Sequence, residues 1–275
     1  MSKISNNNKT VENWLEDGIK AFDNQEYDKA IADYSKAAEI EPEPETYFCR
    51  GNAYYATKQY DKAIADYGKA IELDSGYVKA YFGRGISYDE MEEYDKAIAD
   101  YSKAIELDAN FAEAYYYRGN SYFYNQEYDK AIADYSKAIE LYPDFAEAYH
   151  YRGEAYYKTK KYAQAIADYG KVIELNPDNA NAYYNRGLSY TKNREYDKAI
   201  ADYSKAIELN PDYAKAHYFR IIAYAKTGQI DEANADLATY NAKFGDTTGL
   251  KNVKGLRKVW LWIVSFIRIN RRIFF

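Results

Sequence analysis

The chain has 275 residues and a formal net charge of −6, with 47% hydrophobic and 29% charged residues, one cysteine and two histidines. The single Cys49 excludes a disulfide framework and a cysteine-based metal cluster, and it fits a reducing, cytoplasmic setting. His150 and His217 are too few for a multi-histidine metal site and leave little material for a Ser/His nucleophile pair, so the chain reads as non-catalytic, with no metal and no cofactor.

The charge is uneven. Lys251, Lys254, Arg257, Lys258, Arg268, Arg271 and Arg272 against Asp246 give residues 246–275 a charge of +6, which leaves −12 on the rest. An acidic body repels phosphates, so nucleic acid is not the expected partner. A basic tail suits an anionic surface.

In chain order, residues 1–10 are polar, lack an apolar core and read as a disordered lead rather than a secretory signal. From Val11 the chain repeats itself. The stretch Tyr128-Asp-Lys-Ala-Ile-Ala-Asp-Tyr-Ser-Lys-Ala-Ile-Glu-Leu141 recurs almost unchanged at Tyr27, Tyr60, Tyr94, Tyr162 and Tyr196, and loosely at Ile230, with starts 33 or 34 residues apart. A period of this size means stacked supersecondary units. The units are 11–43, 44–77, 78–111, 112–145, 146–179, 180–213 and 214–247.

Within the stretch, Ala131, Tyr135 and Ala138 fall at helical spacing, which predicts an amphipathic helix. Lys130 with Asp134, and Lys137 with Glu140, form its solvated, salt-bridged face. A second helix is predicted ahead of each copy, as at 112–125, with Tyr115, Gly119 and Tyr122 as its stripe. Glycine recurs there as Gly18, Gly51, Gly85, Gly119, Gly153 and Gly187. Each costs roughly 1 kcal/mol relative to alanine inside a helix, so close helix approach is the expected compensation, with Ala131 opposite Gly119. The short Gln126-Glu127-Tyr128 connection predicts an antiparallel hairpin. Pro143, Pro177 and Pro211 stop the helices at the unit ends.

The pattern Tyr115-x-x-Arg118-Gly119-x-x-Tyr122, then Ala131-x-x-x-Tyr135, then Pro143, resembles the tetratricopeptide repeat, with Trp14-x-x-Asp17-Gly18 as the first unit's version. The resemblance covers Val11 to about Thr247. It implies an all-α fold: an α-solenoid, a right-handed superhelix of antiparallel helix hairpins whose concave surface binds segments of other proteins. One departure stands out. Where the family usually has leucine before the glycine, this chain has Arg50, Arg84, Arg118, Arg152, Arg186 and Arg220, while the second helices carry Asp33, Asp66, Asp100, Asp134, Asp168, Asp202 and Asp236. Pairing between units is expected, with Arg118 on Asp100 of the preceding unit. The seventh unit, with His217, Ile221, Ile230 and Leu237 at pattern positions, looks like a terminal repeat.

One step around the first helix from the packing stripe, a second row runs Phe48, Asn52, Tyr55; Phe82, Ile86, Asp89; Tyr116, Asn120, Phe123; His150, Glu154, Tyr157; Tyr184, Leu188, Thr191. The resemblance places this row along the concave groove. The candidate partner-binding residues are Phe48, Asn52, Tyr55, Phe82, Asp89, Tyr116, Asn120, Phe123, His150, Glu154, Tyr157 and Tyr184. The plainer reading is that the aromatics pack between neighbouring helices. Tyrosine, however, is favoured at binding surfaces for its large area and polar end. Glu45, Glu113, Glu147, Glu154 and Asp89 edge the row, with Lys79 as the main exception, so a partner with basic beside apolar residues fits.

Relatives that grip acidic chaperone tails use a clamp of lysines, arginine and asparagines. Here those places hold Phe48, Asn52, Gly83, Glu113 and Tyr117, of which only Asn52 matches, so that activity is not expected. The reading is a protein-interaction scaffold or adaptor. The alternative is a membrane-tethered assembly protein that uses an amphipathic helix in 248–275. In Leu256 to Phe275, Arg257, Lys258, Arg268, Arg271 and Arg272 face away from Val259, Trp262 and Phe266. The apolar run Val259 to Ile267 is too short to span a bilayer, which leaves a solenoid cap or an interfacial anchor, with peripheral membrane contact through 256–275.

Overall fold

The computed structural model describes residues 9–245. The predicted helix at 248–275, both roles proposed for it, and most of the predicted lead lie outside the described residues. Of that lead, Lys9 and Thr10 are ordered into the first helix: the Thr10 side chain accepts from the Asn13 amide and caps it.

Each repeat is a leading helix followed by a trailing one. The first four pairs are α1 (Val11–Asp23) with α2 (Tyr27–Ile40), α3 (Pro44–Ala56) with α4 (Tyr60–Leu73), α5 (Val78–Glu90) with α6 (Tyr94–Leu107), and α7 (Ala112–Tyr124) with α8 (Tyr128–Leu141). The last three are α9 (Ala146–Lys158) with α10 (Tyr162–Leu175), α11 (Ala180–Lys192) with α12 (Tyr196–Leu209), and α13 (Ala214–Thr227) with α14 (Ile230–Phe244). No strand occurs among the described residues, and the architecture is an all-α solenoid of consecutive hairpins. The chain divides after Ala148 into two compact units.

In the first unit every helix packs on the next, from α1 to α8, and the leading helices α1, α3, α5 and α7 also touch in sequence. In the second unit, α10 to α14 pack in the same consecutive way, and α11 touches α13. The hairpin bends are tight. Six of them place a residue other than glycine in the left-handed region, at φ between 59° and 66°: Gln25, Lys58, Glu92, Gln126, Lys160 and Arg194. That conformation costs an L-residue roughly 1–2 kcal/mol. Only the last bend uses glycine, Gly228 at φ 80°.

The core is thin and repeated, built from alanines and the central tyrosine of each trailing helix. Tyr67, Tyr101, Tyr135, Tyr169 and Tyr203 are buried between alanines such as Ala63, Ala70 and Ala80. These rings account for the recurrent glycine. A Cβ on Gly119 would lie 2.7 Å from Cε1 of Tyr135, and Gly51, Gly85 and Gly187 stand in the same relation to Tyr67, Tyr101 and Tyr203. Gly119 thus makes room for a ring one turn further along α8 than Ala131.

The arginine ladder is corrected. Arg118 forks onto Asp134 of its own repeat, with Nε and Nη2 each donating at 2.7 Å, and does not pair with Asp100. Arg50–Asp66, Arg84–Asp100, Arg152–Asp168, Arg186–Asp202 and Arg220–Asp236 repeat this clasp. Two parallel charge-assisted bonds make it a strong pairing. The link to the preceding repeat is a single further bond, from Nη1 to a serine hydroxyl: Arg50 to Ser35 at 3.1 Å, Arg118 to Ser102 at 3.0 Å and Arg220 to Ser204 at 2.9 Å. The serine's place is taken by Gly68 and Gly170 beside Arg84 and Arg186. In the first repeat, Asp17 stands where the arginine would be and pairs with Lys9, leaving Oδ2 of Asp33 buried without a hydrogen-bond partner.

Candidate functional site

The row singled out from the sequence separates into two kinds of position. Its first members are packing residues. In the first unit Phe48 lies 5.8 Å from Tyr67 and 5.3 Å from Tyr77. Phe82 lies 5.7 Å from Tyr101 and 4.7 Å from Phe111, and Tyr116 lies 6.1 Å from Tyr135 and 4.8 Å from Phe145. In the second unit His150 packs at 5.7 Å on Tyr169, and Tyr184 is buried against Tyr203, Tyr213 and Phe219. Each ring wedges over the central tyrosine of its own repeat.

In the second and fourth repeats the second member satisfies that tyrosine's hydroxyl. Tyr67 donates to Oδ1 of Asn52 and Tyr135 to Oδ1 of Asn120, both at 2.8 Å. Glu154 stands at the corresponding place in α9, where its charge helps to raise the pKa of Tyr169, although burial is the larger cause. A buried phenol needs such a partner, since an unmade hydrogen bond costs about 1–3 kcal/mol.

The third members form the rim. Tyr55 packs at 5.6 Å on Tyr60, Phe123 at 5.3 Å on Tyr128, and Tyr157 at 5.6 Å on Tyr162. Two third members differ: the Thr191 hydroxyl lies 2.9 Å from that of Tyr203, and the other is Asp89. It accepts from the Tyr101 hydroxyl and from the Ser121 hydroxyl, each at 2.7 Å, and so ties α5 to α6 and α7. Burial raises its carboxyl to about 6, the two hydroxyls pulling the other way. The exposed Glu90 next to it accepts from Tyr55 at 3.4 Å and Tyr60 at 3.3 Å. Burial first, and Glu90 second, push Tyr55 up to about 12, so it stays a neutral donor at ordinary pH.

Three surface residues of this face escape the row as read from sequence. Glu90, Tyr117 and Tyr124 lie one helical position beyond Asp89, Tyr116 and Phe123. Tyr124 is 55% exposed and stacks at 5.7 Å on Tyr94. Their common offset from the packing stripe was a usable signal. Cys49 lies in the same face, and burial raises its thiol to about 11, which keeps it protonated and a poor nucleophile. Among the described residues no group of three or more His, Cys, Asp or Glu is placed to hold a metal ion. No helix there is long and apolar enough to cross a membrane.

Comparison with known proteins agrees with this architecture. Family models described as tetratricopeptide repeats match residues 78–111, 180–213 and 101–133, and one described as the TPR repeat matches 20–58, 51–91, 119–160 and 153–194. Among solved structures, YrrB, described as a TPR protein with an unusual peptide-binding site, is 27% identical, with a TM-score of 0.62 over 68% of this chain and 97% of its own. MamA is 30% identical, with a TM-score of 0.59 over 62% of this chain and 94% of its own. The C-terminal part of a TPR repeat-containing protein from Cytophaga hutchinsonii shares the fold, with a TM-score of 0.73 at 24% identity over 87% of this chain and 99% of its own. No curated protein matches the chain.

Proposed function

We propose, from the premise that this chain belongs to the tetratricopeptide repeat family, that the leading-helix face of repeats two to four binds a segment of another protein rich in apolar and basic residues. The protein then acts as a scaffold or adaptor. The observation that carries this reading is the placement of Glu90 as the last residue of α5. A helix C-terminus disfavours an anion by about 0.3–1 kcal/mol, so helix stability does not account for a glutamate there. Glu45 and Glu113, both exposed, add acidity to the same face against the single Lys79 of α5, and Tyr55, Phe123 and Tyr124 give it aromatic area. YrrB, described as having a peptide-binding site, lends the reading support by likeness.

The test is selection of peptides from a short random-sequence library on the full chain. Binders enriched in Lys or Arg beside aromatic or aliphatic residues are expected, and Glu90→Lys combined with Glu113→Lys should weaken them about tenfold or more, with a strong salt dependence. Selected peptides that bind this variant as tightly as the wild type would refute the reading. A second reading, attachment to membranes through residues 256–275, rests on the clustered arginines and tryptophans of that sequence. It predicts co-sedimentation with anionic liposomes that is lost when those residues are deleted.

A further inference from the structure

We propose that Asp89 is the point at which the face of the third and fourth repeats takes a lysine or arginine side chain of the bound segment and selects for it. The proposal deepens the segment-binding reading above and rests on it. At the corresponding place the other repeats have Phe22, Tyr55, Phe123, Tyr157, Thr191 and Ala225, none of them charged at neutral pH, so the carboxylate is particular to this joint. The buried aspartates, Asp66, Asp100, Asp134, Asp168 and Asp202, are each forked by an arginine. Asp89 is held instead by two neutral hydroxyls, Tyr101 on Oδ2 and Ser121 on Oδ1.

That arrangement orients a carboxylate without neutralising it. A carboxylate offers about four lone-pair sites, and two hydroxyls occupy about half of them. The titratable groups around it are Glu90 on its own helix, Tyr101 and Tyr94 on α6, Tyr117 on α7, and, by way of Glu90 and Tyr117, Tyr55 on α3 and Glu113 on α7. No cation figures among the groups that act on it within the described residues. Holding an anion away from water without a counter-charge is costly, and a cation arriving from outside offsets that cost. Asp89 is only half-buried, so a side chain can reach it. Tyr117, which lies close enough to Asp89 to feel its charge and packs at 5.3 Å on Phe82, offers apolar surface to the methylene stem behind an ammonium or guanidinium group.

Burial raises the Asp89 carboxyl to about 6. Cation binding needs the ionised form, so the attraction is fully present above that pH and is lost as the pH falls through it. The rival is a purely structural role, with Asp89 joining repeats three and four through Ser121.

The experiment takes the selected peptides and replaces each Lys or Arg in turn with norleucine, which keeps the stem and removes the charge. Binding to the full-length wild type is measured at pH 8 and at pH 5, and to Asp89→Asn at the same pH values. One replacement should weaken wild-type binding about tenfold at pH 8 and only a few-fold at pH 5, while Asp89→Asn loses this discrimination at both. The wild-type arm needs no substituted protein, so the proposal remains testable if Asp89→Asn fails to fold. Discrimination that persists in Asp89→Asn, or is equal at the two pH values, assigns Asp89 the structural role and overturns the proposal. Selected peptides that lack cations overturn it too, and if they still need Glu90 and Glu113 the face itself stands. A library that yields no binder counts against both.

Discussion

At the second residue of the leading helix the first unit has Glu12, Glu45, Lys79, Glu113 and Glu147, whereas the second unit has Asn181 and Lys215. At the thirteenth, the first unit has Asp23, Ala56, Glu90 and Tyr124, and the second has Lys158, Lys192 and Lys226. All twelve charged or amide residues among these are exposed, and the scaffold beneath them is the same in both units: glycine against tyrosine, arginine forked on aspartate. Folding demands the clasp and the close approach. It leaves the rim free, and the rim is where the two units part, acidic in one and basic in the other.

The largest way to probe that division is to break the clasp in each unit. Arg118→Ala and Arg186→Ala should each cost about 3 kcal/mol in chemical denaturation, because each leaves a buried carboxylate unpaired. Replacing both members, as in Arg118→Leu with Asp134→Leu, should recover most of that loss. Unequal costs in the two units would show that the scaffold is less uniform than its geometry.

A smaller effect is expected from adding one methyl group to the helix contact. Gly119→Ala sets a Cβ 2.7 Å from the Tyr135 ring and should destabilise by about 1–3 kcal/mol despite alanine's better helix propensity. At Gly153 the nearest ring atom would lie 3.2 Å away, so Gly153→Ala should be milder. Thermal melting of the two variants side by side sharpens the comparison. The smallest stability changes belong to the rim: Glu90→Lys should gain, and Lys192→Glu lose, a few tenths of a kcal/mol through the helix dipole. Rim changes as large as the glycine effect would mean that the surface is part of the scaffold after all.

The period and the glycines made the hairpins legible from sequence, since no other arrangement buries the stripe of Ala131, Tyr135 and Ala138. The partners across each hairpin were less so. In a chain that repeats every 34 residues, Arg118 lies 16 residues before Asp134 and 18 after Asp100, and near-equal separations carry no information about which one the guanidinium reaches. The contact of Gly119 with the Tyr135 ring was hidden likewise, because Tyr135 and Ala131 lie on the same stripe one turn apart. On the candidate face, aromatic spacing alone could not separate Tyr116, wedged over the core, from Tyr124 at the surface. Nor could it reveal that Asp89 meets two hydroxyls and no cation.

The glycines at 68 and 170 give this solenoid an uneven stiffness. Where Ser35, Ser102 and Ser204 stand, the arginine of the following repeat holds its own hairpin and the neighbour at once, so a twist applied to one is passed to the other through a directional bond. Beside Gly68 and Gly170, Arg84 and Arg186 grip only their own aspartates. The joints α4 to α5 and α10 to α11 then lack the arginine–serine bond, although the Tyr60 hydroxyl still donates to Glu90 at the first of them, and apolar contact tolerates sliding better than a hydrogen bond tolerates bending. Each unit therefore has one compliant joint set among stiffer ones, and an applied load concentrates its deformation there, as in a spring wound from wire of two gauges.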